Sequence, residues 1–79
     1  MINIPYAYSN GYLSVRVDLK HASNVFLVDS NNFQKYKLGQ SYTYFGGYYK
    51  QTPVNISVKG SGRWYLIVEG GGTYNYKFY

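Results

Sequence analysis

A chain of 79 residues holds one domain at most. At this size folding buries only about 60–65% of the unfolded surface, so stability must come from dense aromatic packing or from a partner. The lack of cysteine excludes a disulfide framework and a thiolate metal site, while eight basic residues against Asp18, Asp29 and Glu69 give a net charge of +5 that favours acidic partners.

The N-terminal stretch through Tyr12 has neither the basic start nor the apolar core of a signal peptide. No run approaches the ~18 apolar residues of a membrane span. The expected setting is therefore the cytoplasm of a bacterium or a phage-infected cell, with no membrane association. A first strand is expected around Ile2–Tyr8, and Pro5 puts it at an edge. Asn10-Gly11 is a turn signal joining it to the clearest strand, Tyr12–Leu19. There Leu13, Val15, Val17 and Leu19 alternate with Ser14, Arg16 and Asp18, at the period of a half-buried strand.

Lys20–Ser23 reads as a polar connection. Asn24–Asp29 is apolar on both faces through Val25–Val28, which predicts a central strand covered by a second layer. Ser30–Gly39 is too polar and short for a buried helix. At best it holds one helical turn, with Phe33 and Tyr36 folded back as a lid at a spacing of three.

A strand is predicted over Tyr42–Tyr49, bulged or bent at Gly46-Gly47. Pro53–Lys59 alternates cleanly, with Val54, Ile56 and Val58 facing inward. Gly60-Ser61-Gly62 reads as a hairpin turn, followed by Arg63–Glu69, apolar on both faces and carrying a core Trp64. Gly70–Gly72 forms the next turn, since it lacks the Lys-Ser/Thr and the helix of a phosphate loop. Thr73–Tyr79 closes the chain as an edge strand guarded by Lys77, where homo-oligomerisation or addition of a partner strand is plausible. Together these elements predict an all-β domain over 1–79, a small antiparallel β-sandwich, jelly-roll-like, of six to eight short strands.

VFLVDSNNFQKYKLG, YTYFGG and PVNISVKGSGRWYLIVEGGG resemble the small bacterial domain of unknown function DUF1883. The resemblance runs from Val25 to the C-terminus through Asp29, Asn32, Phe33, Tyr36, Gly39, Tyr44, Gly46, Gly47, Pro53, Val54, Gly62, Trp64 and Gly70–Gly72. Glu69 departs from the pattern, as does the pronounced Tyr-rich, basic surface. The resemblance implies a small β-sandwich-like domain found alone or fused to TIR domains, which act as effectors of bacterial immunity. It brings no catalytic residues.

Catalysis finds little footing in the residues. His21 stands alone in a polar connection and reads as a solvated loop residue, and the three acids fall on separate segments. Asp29-Ser30-Asn31-Asn32 fits an Asx turn better than a calcium loop, which needs more carboxylates. Lys59 and Arg63 read as solvated charges. No cofactor is implied. The candidate contact face is Tyr36, Tyr42, Tyr44 and Tyr48 with Lys35, Lys37 and Lys50, all in the one basic-aromatic segment.

Tyrosine is also a favoured strand residue, so part of this cluster is expected in the core. As a surface it suits a protein partner, for example a TIR-type effector or another defence protein. Single-stranded nucleic acid held by stacking beside cations is the alternative, and a sugar face is the third. The expected function is a non-catalytic binding or adaptor module in bacterial defence or phage conflict.

Overall fold

The computed structural model describes residues 4–70 and 73–79. Its strands are β1 (Tyr6–Leu19), β2 (Ser23–Asp29), β3 (Phe45–Tyr49), β4 (Val54–Glu69) and β5 (Tyr74–Phe78), with one helix, α1 (Ser30–Lys37), between β2 and β3. All five strands form one antiparallel open sheet in the order β3-β2-β4-β1-β5. The fold is all-β, but one open sheet stands in place of the expected two packed sheets of a jelly-roll-like sandwich, and two of the expected turns lie within strands, which lowers the strand count to five.

Asn10-Gly11 does not turn the chain back, and neither does Gly60-Ser61-Gly62. Gly11 lies opposite Gly60, Asn10 opposite Ser61 and Ser9 opposite Gly62 in an unbroken ladder from Tyr6↔Tyr65 to Val17↔Val54. Gly11 and Gly60 both have a positive φ, +127° and +133°, which residues with a Cβ rarely adopt. The paired strands therefore bend together instead of reversing. On the inside of the bend the Trp64 indole N–H donates to the Gly60 carbonyl at 3.1 Å.

The bend lets one sheet bury its own inner face. Leu13, Val15 and Val17 of β1 and Val54, Ile56 and Val58 of β4 share a core cluster with Val25 and Leu27 of β2 and with Trp64 and Leu66. Val15, Val17, Val25, Leu27 and Leu66 are fully buried, at roughly 1.5–3 kcal/mol for each such side chain. The alternation read over Tyr12–Leu19 and Pro53–Lys59 matches these inward positions.

The apolar outer face of β2 is covered by the helix that the polar composition of 30–39 argued against. Asp29 caps it, its carboxylate accepting from the Asn32 backbone N–H at 2.8 Å, so the Asp-Ser-Asn-Asn run is a helix start. The other end closes as a Schellman motif, with Gly39 N–H bonded to Tyr36 O and Gln40 N–H to Lys35 O. Phe33 enters a second cluster with Phe26, Val28 and Ile67, and Tyr36 packs at its margin. Tertiary packing stabilises a helix too short to stand alone.

Both sheet edges, β3 and β5, carry no further strand among the described residues. The expected strand over Ile2–Tyr8 is the start of β1, with Ile2 and Asn3 outside the described residues, as are Gly71 and Gly72 of the glycine turn. No helix among the described residues is long and apolar enough to cross a membrane.

β3 is seated by Gly46, opposite Phe26. A Cβ there would lie 2.1 Å from Val25 O and 2.7 Å from Phe26 Cα, on a backbone at φ +149°. Gly46→Ala is expected to destabilise the fold by about 2–5 kcal/mol. At Gly47 a Cβ meets nothing within 4 Å, so Gly47→Ala should stay within about 0.5 kcal/mol of wild type. Urea unfolding of the two variants measures both.

Candidate functional site

The register of β2 against β3 decides which tyrosines meet. Tyr48 stands opposite Asn24 and Gly46 opposite Phe26. The outer face of β3 thus offers Tyr48 and bare backbone beside the Phe26 ring, and the chain entering β3 fills part of that gap. Tyr44 and Tyr42 lie 5.3 and 6.0 Å from Phe26 between ring centroids, and Tyr36 approaches the same ring edge-on at 6.0 Å. Tyr36 and Tyr42 meet edge-to-face at 5.3 Å. These are ordinary aromatic pair geometries, each worth about 0.5–1.5 kcal/mol beyond burial.

Phe45 and Tyr49, of the other parity, lie on the opposite side of the strand, where Phe45 stays 47% exposed. Phe45 packs edge-to-face on Trp64, and Tyr49 borders the main core.

Beside the tyrosines lies a groove of about 360 Å³ lined by Asn24, Phe26, Tyr42, Tyr44, Gly47, Tyr48 and Glu69. Glu69, at the end of β4, faces Asn24 across the ladder. Its Oε2 accepts from the Tyr36 hydroxyl at 2.8 Å, tying the helix to the groove margin. Burial, reinforced by this bond to the carboxylate, pushes the Tyr36 phenol up to about 12. Burial and the Glu69 charge also raise the Tyr42 phenol. Tyr44 and Tyr48 remain largely exposed at 51% and 60%.

Four of the seven residues in the sequence-derived contact face come together here: Tyr36, Tyr42, Tyr44 and Tyr48. The three lysines do not line the groove. Lys35 and Lys37 lie in the last helical turn, where a cation complements the helix dipole, and Lys37 Nζ sits 5.0 Å above the Phe33 ring. Lys50 lines a separate concavity with Lys20, His21 and Thr52. The one ionisable carboxylate of the groove reverses the expected basic character.

Asn24, Phe26 and Glu69 are groove residues that the sequence reading did not select. Their common signal is a register, and a register is set by pairing across the sheet. Phe26 was legible only as half of an apolar strand, and Glu69 only as one of three acids in a basic chain.

Arg63 departs from the solvated charge expected of it. Its guanidinium lies 5.0 Å from the Tyr6 ring centroid and 4.9 Å from that of Tyr8, and it donates to the Tyr65 hydroxyl at 3.2 Å and to the Tyr8 hydroxyl. His21 is exposed in the β1–β2 turn, where its carbonyl accepts from the Ser23 hydroxyl.

The chain belongs to the family described as domain of unknown function DUF1883, whose model matches residues 9–77. The match extends the resemblance back from Val25 into β1. No curated protein and no solved structure matches the chain.

The Tyr36–Glu69 contact has a pH consequence. A phenol whose folded value lies above its usual one of 10.0 adds stability that is complete below pH 10 and lost as pH rises towards 12. Wild-type stability is therefore expected to fall across that window. Tyr36→Phe should remove part of the fall, as measured by denaturant unfolding at pH 9, 10, 11 and 12 (a series spanning the shift).

Proposed function

We propose that this domain is a non-catalytic recognition module whose groove takes a cationic group of its ligand, most simply a basic side chain of a partner protein. The observation that carries the reading is Glu69, an acid in a chain of net charge +5, set beside three tyrosine rings. The other two acids are already engaged. Asp18 pairs with Arg16 at 3.6 Å, and Asp29 caps the helix. Among the described residues Glu69 makes no ion pair, only its bond to the neutral Tyr36 hydroxyl.

Aromatic faces beside a carboxylate attract an ammonium or guanidinium through ring quadrupole and charge together. Tyrosine supplies such contact area at low conformational cost. A phosphate in the same groove would meet the carboxylate with no lysine beside it, so this groove is a poor nucleic-acid site. An adaptor role in cytoplasmic bacterial defence or phage conflict rests on the resemblance to TIR-associated domains.

The test is capture from bacterial lysate, with and without nuclease, comparing wild type with a Tyr44→Ala/Tyr48→Ala double variant and with Glu69→Gln. A protein captured in stoichiometric amount despite nuclease, and lost in both variants, is the expected result. The double variant should unfold within about 3 kcal/mol of wild type, because its main packing losses are the Tyr44–Phe26 and Tyr44–Tyr42 pairs. Identical capture by all three proteins would sink the reading. Binding that survives Glu69→Gln and ignores salt would replace the cation with a neutral sugar face.

A further inference from the structure

Away from the groove, towards the other edge of the sheet, the structure assigns a second surface, for single-stranded nucleic acid, to the outer side of β1, β4 and β5. Its basis is the register of the long pair. Opposite one another on that side stand Tyr8 and Arg63, Tyr12 and Lys59, and Arg16 and Asn55. Across the next ladder Arg16 also faces Lys77. Tyr79 pairs with Ser14 through both backbone bonds, at 2.9 Å each, and so extends the same row.

Half of the chain's eight cations, Arg16, Lys59, Arg63 and Lys77, therefore share one face. Of the two acids on the outer side of these strands, Asp18 is taken up by Arg16, and Glu69 lies at the far end of β4, in the groove. Tyr8, Tyr12 and Tyr79 are 64%, 62% and 64% exposed, so they are not concealed core.

Two features resist a purely structural account. Like charges directly opposite one another destabilise a sheet, yet Arg16 and Lys77 are placed so. A lysine guarding an edge strand explains Lys77 alone but not the cations behind it. The Arg63 guanidinium is also held against two tyrosine rings, which fixes a cation in place at the surface.

Exposed rings alternating with cations along neighbouring strands are what a single strand needs, since bases stack on the rings while phosphates meet the charges. An acidic protein or anionic membrane would use the cations but would not require the rings. A duplex keeps its bases stacked inward and would leave them idle.

Fluorescence anisotropy with labelled oligo-dT and oligo-U tests this, with a duplex of equal length and anionic vesicles as comparison probes. Wild type should bind the single strands in preference to both, with log K against log salt falling at a slope of about −2 to −3, at ~0.7 per neutralised phosphate. Tyr12→Ala should weaken binding about 5- to 150-fold at fixed salt, the range for losing one stacked base. Lys59→Gln with Lys77→Gln should flatten the slope by about 1.4. The Tyr44→Ala/Tyr48→Ala variant, altered only in the groove, should bind oligonucleotide like wild type. That result separates this surface from the groove. A flat salt profile, equal binding to vesicles, or unchanged affinity in a folded Tyr12→Ala protein would each overturn the assignment.

Discussion

The shared bend of β1 and β4 is the constraint on which the remaining geometry depends. Strands of 14 and 16 residues are far longer than the usual five or six, and a flat pair of that length would leave its apolar faces in water. With glycines opposite each other at the corner, both strands turn without losing their pairing. The half of β4 beyond the corner then pairs with β2, and its inward residues meet those of the first half. A chain with few aliphatic residues thereby obtains a closed core from a single sheet, and its many tyrosines are left for other positions.

Those positions divide by charge. The end of β4 that meets β2 carries Glu69 among tyrosines, while the part paired with β1 carries Lys59 and Arg63, to which β1 and β5 add Arg16 and Lys77. The +5 net charge of the sequence sums over regions of opposite charge. An electrostatic argument from composition points to an acidic partner in general. The register separates the charges, placing Glu69 in the groove and Arg16, Lys59, Arg63 and Lys77 away from it.

What could be read in the sequence follows from whether each feature is local. The inward alternation of Leu13, Val15, Val17 and of Val54, Ile56, Val58 is carried by the strand itself, as is the edge position of the last strand. The two glycine corners were legible as breaks but not as paired breaks. Asn-Gly and Gly-Ser-Gly have the composition of hairpin turns, and only their meeting across the ladder makes them one bend. The helix was missed because its stability comes from Phe33 and Tyr36 packing on β2 and β4, against the weak propensity of SNNFQKYK. The contact face was half legible. Tyrosine spacing on one parity found Tyr44 and Tyr48, but nothing local shows that the nearby lysines turn elsewhere while Glu69, some twenty residues on, turns in.

The two surfaces are joined by packed rings. Tyr42 meets Tyr36, Tyr36 lies 6.4 Å from Phe33, and Phe33 stacks on Tyr65 at 3.9 Å. Tyr65 in turn touches Tyr6 and accepts from Arg63. Contiguity of this kind is not coupling, which needs an element with two arrangements that both sites bias. It does determine which residues can inform about function. Phe33 holds the helix against both ends of the row, so its loss would disturb groove and platform together. The exposed rings at the two extremes, Tyr48 and Tyr8, carry little of the packing, and each belongs to one surface only.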